Sequence, residues 1–200
     1  MMKKIPCLFE RDFSDRKRPA LLTSVTPGCE WVLAGEGVAT RKCDGSACLV
    51  KEGKLFKRYD CRKGKTPPEG FIPCEPEPDA TTGHWPGWLA VDDGPECKWH
   101  REAWNGLRAS DGTRFHSGLL LDDGTYELCG PKIQGNPERL LEHTLIRHGS
   151  ELLAFVPRDW EGLKAYLEEH PIEGIVWHHP DGRMAKLRRD DFGFAWPVTA

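Results

Sequence analysis

No stretch of this 200-residue chain comes near the roughly 20 consecutive apolar residues that a membrane-crossing helix needs, so a helical membrane protein is excluded. The start, MMKKIPCLFERDF, lacks the long apolar region of a secretory signal, and a cytoplasmic location is expected. Eight cysteines contain no Cys-x-x-Cys pair and no regular framework, which argues against a disulfide scaffold and the common zinc modules. Cys74, His84, Cys97 and His100 are the residues that could gather around zinc, but their spacing matches no common pattern. The thiols read as free, several of them as small core residues. A strong excess of positive charge is also missing: a net charge of −3 excludes a generally basic protein. There is no internal repeat.

What is present is an ordinary globular composition rich in turn formers, with 16 prolines and 21 glycines, which favours short strands over long helices. Three hairpins are predicted. GSACLVKEGKLFKRYDC turns at Lys51–Lys54, GLLLDDGTYELCG at Asp123-Gly124, and GIVWHHPDGRMAKLRR at Asp181-Gly182. Two helices are predicted. Pro137 opens PERLLEHTLIRH, with Leu140, Leu141 and Leu145 on one face and Gly149 as a stop. Asp159 caps WEGLKAYLEEH, whose Leu163, Tyr166 and Leu167 form a stripe ended by Pro171. Residues 66–87 are Pro-rich and acidic and read as a surface loop or lid. The expected architecture is α+β: one domain over residues 1–200, core about 30–196, of antiparallel β-sheets flanked by helices.

Charge is unevenly spread. Residues 54–65, KLFKRYDCRKGK, hold six cations against one acid, and KLRRDD at 186–191 holds another group. These are either solvated hairpins or a groove for a polyanion. A second oddity is Lys42, placed in ATRKCDGSACLV between segments that read as buried strand. Desolvating an ammonium ion costs several kcal/mol, so Lys42 lies on the surface or its charge is used.

Taken together, KCDGS (42–46), KRYD (57–60), YELCGPKIQGNP (126–137), EGIVWH (173–178) and MAKLRR (184–189) make a far more specific pattern than any one of them. In that order they resemble the covalent nucleotidyltransferases, the superfamily of ATP-dependent RNA and DNA ligases and mRNA capping enzymes. The chain is most similar to the small RNA ligase family that includes the human 5′–3′ RNA ligase, over about residues 30–196.

That resemblance implies a nucleotidyltransferase (ATP-grasp-like) fold and a role for each matching residue. Lys42 takes AMP from ATP. An amine attacks phosphorus only when neutral, and an unperturbed lysine titrates near 10.4. Lys186 and Arg188, alternating on one strand face, are the cations expected to discharge Lys42 and to neutralise phosphate. Asp44 orients the lysine, and Gly45 lets backbone approach the nucleotide. Arg58 contacts ribose or phosphate, Glu127 accepts from a ribose hydroxyl, and Glu173 is the hard-oxygen ligand for Mg²⁺, with Mn²⁺ as its substitute. Phe155 stacks on adenine or is plain core, and backbone around Thr40 and Arg41 reads the base. Cys43 and Cys48 are packing residues. His178 and His179 are weaker candidates for contacts to phosphate or metal, and Lys132 and Gln134 of GPKIQGN for contacts to a substrate phosphate, GPKIQGN otherwise being a loop leading into a helix.

The function implied is joining of 5′-phosphate and 3′-hydroxyl RNA ends by a monomer with no membrane partner. A DNA or nick ligase and a self-adenylating protein that seals nothing are the alternatives. Too few residues follow position 196 for an OB-fold domain, which argues against guanylyl transfer and places the RNA contacts in the same domain.

Overall fold

The computed structural model describes residues 4–15, 19–108, 114–115 and 121–198. In chain order the elements begin with β1 (Phe9–Asp12), β2 (Ala20–Val25), α1 (Glu30–Leu33), β3 (Val38–Lys42), β4 (Ser46–Lys51), β5 (Lys54–Cys61), β6 (Ile72–Pro73) and β7 (Trp85–Ala90). They continue with α2 (Lys98–Asn105), β8 (Leu107–Arg108), β9 (Arg114–Phe115), β10 (Gly124–Cys129), β11 (Thr144–Arg147), α3 (Trp160–Glu169), β12 (Gly174–His178) and β13 (Met184–Arg188). The class is α+β, the named strands pairing antiparallel. The chain forms two compact units: a central one, Asp44–His148, and a terminal one, Lys4–Cys43 with the chain from Gly149 onward.

In the terminal unit the sheet runs β13-β12-β3. Backbone hydrogen bonds extend it at both edges. Leu8 N–H donates to the Lys186 carbonyl (2.7 Å) and Arg41 N–H to that of Glu151 (2.8 Å). Strand alternation sends Ala39, Ile175, Trp177, Ala185 and Leu187 into a core with Leu8, Phe9, Val32, Leu163 and Leu167. The same registers put Thr40, Lys42, Val176, Lys186 and Arg188 on the reverse face. The hairpin predicted at Asp181-Gly182 is β12–β13, in register from Gly174↔Arg188 to His178↔Met184. The capped helix is α3: Asp159 accepts the Gly162 N–H (2.9 Å), and Leu163 and Leu167 are fully buried, worth about 1.5–3 kcal/mol each. Just before it, Arg158 donates to the carbonyls of Val32, Glu36 and Gly37 (3.0, 2.6 and 2.9 Å), binding the free end of α1.

In the central unit six strands run β11-β10-β4-β5-β7-β6. The predicted β4–β5 hairpin closes at Lys51↔Lys54, with Glu52 and Gly53 at φ 51° and 67°, the left-handed pair a two-residue turn demands. Asp123 accepts the Glu52 N–H (2.8 Å). The hairpin predicted at Asp123-Gly124 falls partly on residues 118–120, outside the described ones; β10 pairs with β4 and β11. One face buries Cys48, Val50, Leu55, Tyr126 and Leu128 with Ala103 of α2.

Two expectations fail here. Residues 137–149 form turns and β11, with no helix. Asn136 explains it: its side chain accepts from Leu140 N–H and donates to the Leu140 carbonyl, both at 2.9 Å, taking the groups a helix needs. Asn136 and Arg139 also sit at φ 58° and 53°, and Leu141 of the supposed buried stripe is 95% exposed. Within the Pro-rich segment, β6 and the start of β7 are paired strand. Pro86 lacks a donor, yet its carbonyl accepts the Cys74 N–H (2.9 Å), so proline thins the ladder without preventing it.

Candidate active site

Lys42 ends β3 opposite Gly174, which has Arg188 on its other side. Glu173, immediately before β12, is nearly buried and meets this edge. Its Oε2 lies 2.6 Å from Lys42 Nζ and its Oε1 3.7 Å from Arg188 Nε. Lys186 sits two residues before Arg188, facing the same way. Burial, then the charges of Arg188, Lys42 and Arg11, push its pKa down to about 8, with Cys7 opposing. Sequence reasoning looks for a disfavoured charge at Lys42; in the structure Glu173 is the carboxylate set against Lys42, and burial disfavours the ammonium of Lys186. Asp191 secures this strand end by accepting the Arg188 N–H (2.8 Å) and pairing with Arg11.

Beside Lys42, Thr40 is buried; its hydroxyl donates to the Val176 carbonyl and accepts from His178 Nε2–H, both at 3.1 Å. Because Arg41 N–H is spent on Glu151, that amide is not free to read a base. Arg41 Nη1 pairs with Glu151 Oε2 (3.1 Å), which also accepts weakly from the Cys43 thiol (3.8 Å). His179 lies between Glu36 and Asp181, each 2.8 Å away. Phe155 is fully exposed at φ 56°, so it is not core.

The remaining predicted residues belong to the central unit. The Asp44 N–H donates to Glu138 Oε1 (2.8 Å). Gly45 has a packing reason: a Cβ there would lie 2.2 Å from the Leu128 carbonyl oxygen, so the close approach is to β10. Arg58 donates to Cys74 Sγ (3.0 Å) and lies over Trp88, 5.0 Å from its ring centroid. Glu127, mid-strand in β10, accepts from His148 Nε2–H (2.7 Å). Strand registers place Glu127, Ala47, Arg58 and Trp88 on one face. Burial and then Glu127 raise the Cys48 thiol pKa, which suits a packing residue.

Lys132 and Gln134 stand on exposed turns, Gln134 at φ 48°. Among the six cations of 54–65, Lys57 is used internally, with Glu96 Oε1 at 3.2 Å and Cys97 Sγ at 3.0 Å, whereas Arg62, Lys63 and Lys65 are exposed. Among the described residues the zinc quartet does not gather: Cys74 meets Arg58, His84 meets Asp60, and Cys97 meets Lys57. Sequence reasoning missed Glu138, His148, Glu151 and Asp191, since each acts through a partner distant in sequence; only Asp191, inside KLRRDD, carried a local signal.

A family model described as RNA ligase 1 matches residues 118–200, which include Glu127, Phe155, Glu173, Lys186 and Arg188. The RNA ligase 1 of Pongo abelii is 34% identical over 169 residues, covering 67% of this chain and 50% of that protein. That of Mus musculus is 28% identical over 273 aligned positions, covering 99% of this chain and 82% of that protein. This chain is similar to RNA ligase 1. A further match, RNA ligase 1 of Danio rerio, is 32% identical over 147 residues, covering 62% of this chain and 45% of that protein. The match spans half of the Pongo abelii RNA ligase 1, and Lys42 lies within the chain that the mouse RNA ligase 1 covers almost throughout. Among the described residues, no helix is long and apolar enough to cross a membrane.

Proposed function

We propose that this chain is an ATP-dependent RNA ligase, built on a covalent nucleotidyltransferase fold, that joins 5′-phosphate and 3′-hydroxyl RNA ends through a lysyl-AMP on Lys42. The observation that carries the reading is the group at one sheet edge: Lys42 held by Glu173 at 2.6 Å, with Lys186 and Arg188 on the same face. Three cations against one carboxylate suit a polyphosphate.

In the first step Lys42 Nζ, its ammonium proton passed to solvent, forms a bond to the α-phosphorus of ATP, and the bond to the departing pyrophosphate breaks. Lys186 and Arg188 take up charge on the phosphate oxygens. For Lys186 this relieves the penalty of a cation buried among cations. AMP then passes to the RNA 5′-phosphate, and the 3′-hydroxyl displaces it. Glu173, a nearly buried carboxylate already set against cations, fits the single hard-oxygen donor that Mg²⁺ or Mn²⁺ takes alongside phosphates. When bound, that ion supplies Lewis-acid neutralisation of phosphate. With that ion bound, Glu173 would hold it, and Lys42 would be without its counter-charge.

The test is incubation with ATP and Mg²⁺ followed by intact-mass measurement. Wild-type protein gains AMP and Lys42→Ala does not; the adduct is labile to acid and stable to base, as a phosphoramidate is. Adding 5′-phosphorylated RNA discharges the adduct and yields joined product. An adduct retained in Lys42→Ala overturns the nucleophile. Joining of nicked DNA but not RNA overturns the substrate, and an adduct that never discharges leaves a self-adenylating protein.

A further inference from the structure

His148, to which neither motif nor family resemblance gives a role, makes a close hydrogen bond to Glu127 within the central unit. Its Nε2–H donates to Glu127 Oε2 at 2.7 Å, and the two side chains are only 25% and 13% exposed. Both ends are anchored. Glu127 lies mid-strand, between Ala47 of β4 and Ile146 of β11. His148 follows β11 directly, and its own N–H donates to the Thr125 carbonyl (3.0 Å), two residues before Glu127. The imidazole therefore has little freedom to turn away.

The other ring atom fixes the proton. His148 Nδ1 is buried with no partner among the described residues. A proton there would be a buried donor with no acceptor, whereas a proton on Nε2 meets a carboxylate oxygen. The geometry selects the tautomer with hydrogen on Nε2, pointing at Glu127. The carboxylate is thus held by one oxygen, Oε2, while Glu127 Oε1 has no hydrogen-bond partner among the described residues. This is the arrangement of a second group that aims an acceptor, as outer partners aim metal-binding side chains.

We infer that His148 is a positioning residue that fixes Glu127 to accept a hydrogen bond from a ribose hydroxyl of ATP, and so makes the chain select ATP over its deoxy analogues. The inference rests on the nucleotide-binding reading of Glu127. Its sense is chemical: a carboxylate whose one free oxygen is fixed in direction gains from a hydroxyl donor and is left desolvated and unsatisfied when that hydroxyl is missing.

The experiment measures nucleotide affinity by calorimetry for ATP, 2′-deoxy-ATP and 3′-deoxy-ATP, in wild type, His148→Gln, His148→Ala and Glu127→Gln, alongside adduct formation. Wild type is expected to bind ATP roughly ten- to a hundredfold more tightly than one of the two deoxy analogues, the margin of a hydrogen bond to a charged group. In His148→Ala that preference collapses, with ATP weakened and the analogue unchanged. His148→Gln, which keeps a donor, restores part of it. A merely structural histidine would weaken all three nucleotides alike, and that outcome overturns the inference, as does a wild type indifferent to both hydroxyls. If wild type binds ATP but forms no adduct, the proposed reaction falls while the affinity ratios still judge His148. If it binds no ATP, both fall. Should His148→Ala fail to fold, the ratios of His148→Gln against Glu127→Gln decide, since a shared role predicts the same lost preference in each.

Discussion

Lys42 Nζ and Glu173 Oε2 are 2.6 Å apart, joining the end of β3 to the residue that leads into β12. Glu173 is the counter-charge for an edge that also carries Lys186 and Arg188, so Glu173→Gln changes more than one interaction. Adenylation should fall by at least about a hundredfold, equivalent to roughly 2.7 kcal/mol of transition-state stabilisation. Single-turnover adduct formation against Mg²⁺ concentration checks it: the variant should not reach the wild-type rate at any metal concentration. A wild-type rate with a wild-type metal curve would take Glu173 out of the site.

Lys186 links function to pH. Its pKa of about 8 lies below the ordinary 10.5. Between those values the unfolded chain binds more protons than the native one, so stability rises with pH across that window. Below about pH 8 both states are protonated and the full penalty of the buried cation applies. Lys186→Met should therefore raise stability at pH 7, by about 1–3 kcal/mol, and remove the rise toward pH 10 while abolishing adenylation. Urea denaturation at pH 7 and pH 10 reads both. A variant less stable at pH 7 would mean that Lys186 is held there by attraction.

How far such features can be read from sequence depends on how local their causes are. Turn chemistry is local: the Glu52-Gly53 and Asp181-Gly182 turns and the Asp159 cap are all legible. The helix expected from PERLLEHTLIRH fails because Asn136 spends its side chain on Leu140, a competition that apolar spacing cannot reveal. Helix α2 escapes sequence reasoning because it is eight residues long and the residues it buries are His100 and Ala103. Motifs start the core near residue 30, yet Leu8 and Phe9 are buried in it, and residues 6–8 border β13 at Lys186. Lys42, Glu173, Lys186 and Arg188 can be named from motifs, but the burial that disfavours charge on Lys186 and the placing of Glu173 against Lys42 follow only from the fold. The resemblance assigns Gly45 to nucleotide approach, whereas the atom nearest its missing Cβ is the Leu128 carbonyl oxygen.

Phe155 separates packing from binding cleanly. It is fully exposed and held at φ 56°, a conformation that costs a non-glycine residue energy. Phe155→Ala should change unfolding free energy by less than about 0.5 kcal/mol. If the ring stacks on adenine, ATP affinity should drop roughly tenfold, within the 1–3 kcal/mol typical of base–aromatic stacking. Calorimetric ATP titration with a melting curve measures both. Unchanged affinity would leave the ring without a role at the base.

The cationic hairpin yields the sharpest division between neighbouring lysines. Lys57 is engaged by Glu96 and Cys97, whereas Lys63 and Lys65 are exposed. Exposed cations this close together on an otherwise acidic chain are the groups a phosphate backbone would neutralise. Replacing Lys63 and Lys65 together by glutamate should weaken RNA binding and flatten its salt dependence, by a slope of roughly 0.7 for each single-strand phosphate no longer neutralised. Adduct formation on Lys42 should survive, since ATP needs none of these groups. Lys57→Met should do the reverse, lowering the melting temperature while leaving the salt slope alone, because its ammonium is already engaged by protein. Fluorescence anisotropy of labelled RNA across a salt series gives the slope directly. If the double variant binds with unchanged affinity and slope, residues 62–65 are a solvated face, and the RNA runs instead past the exposed Lys132 of GPKIQGN.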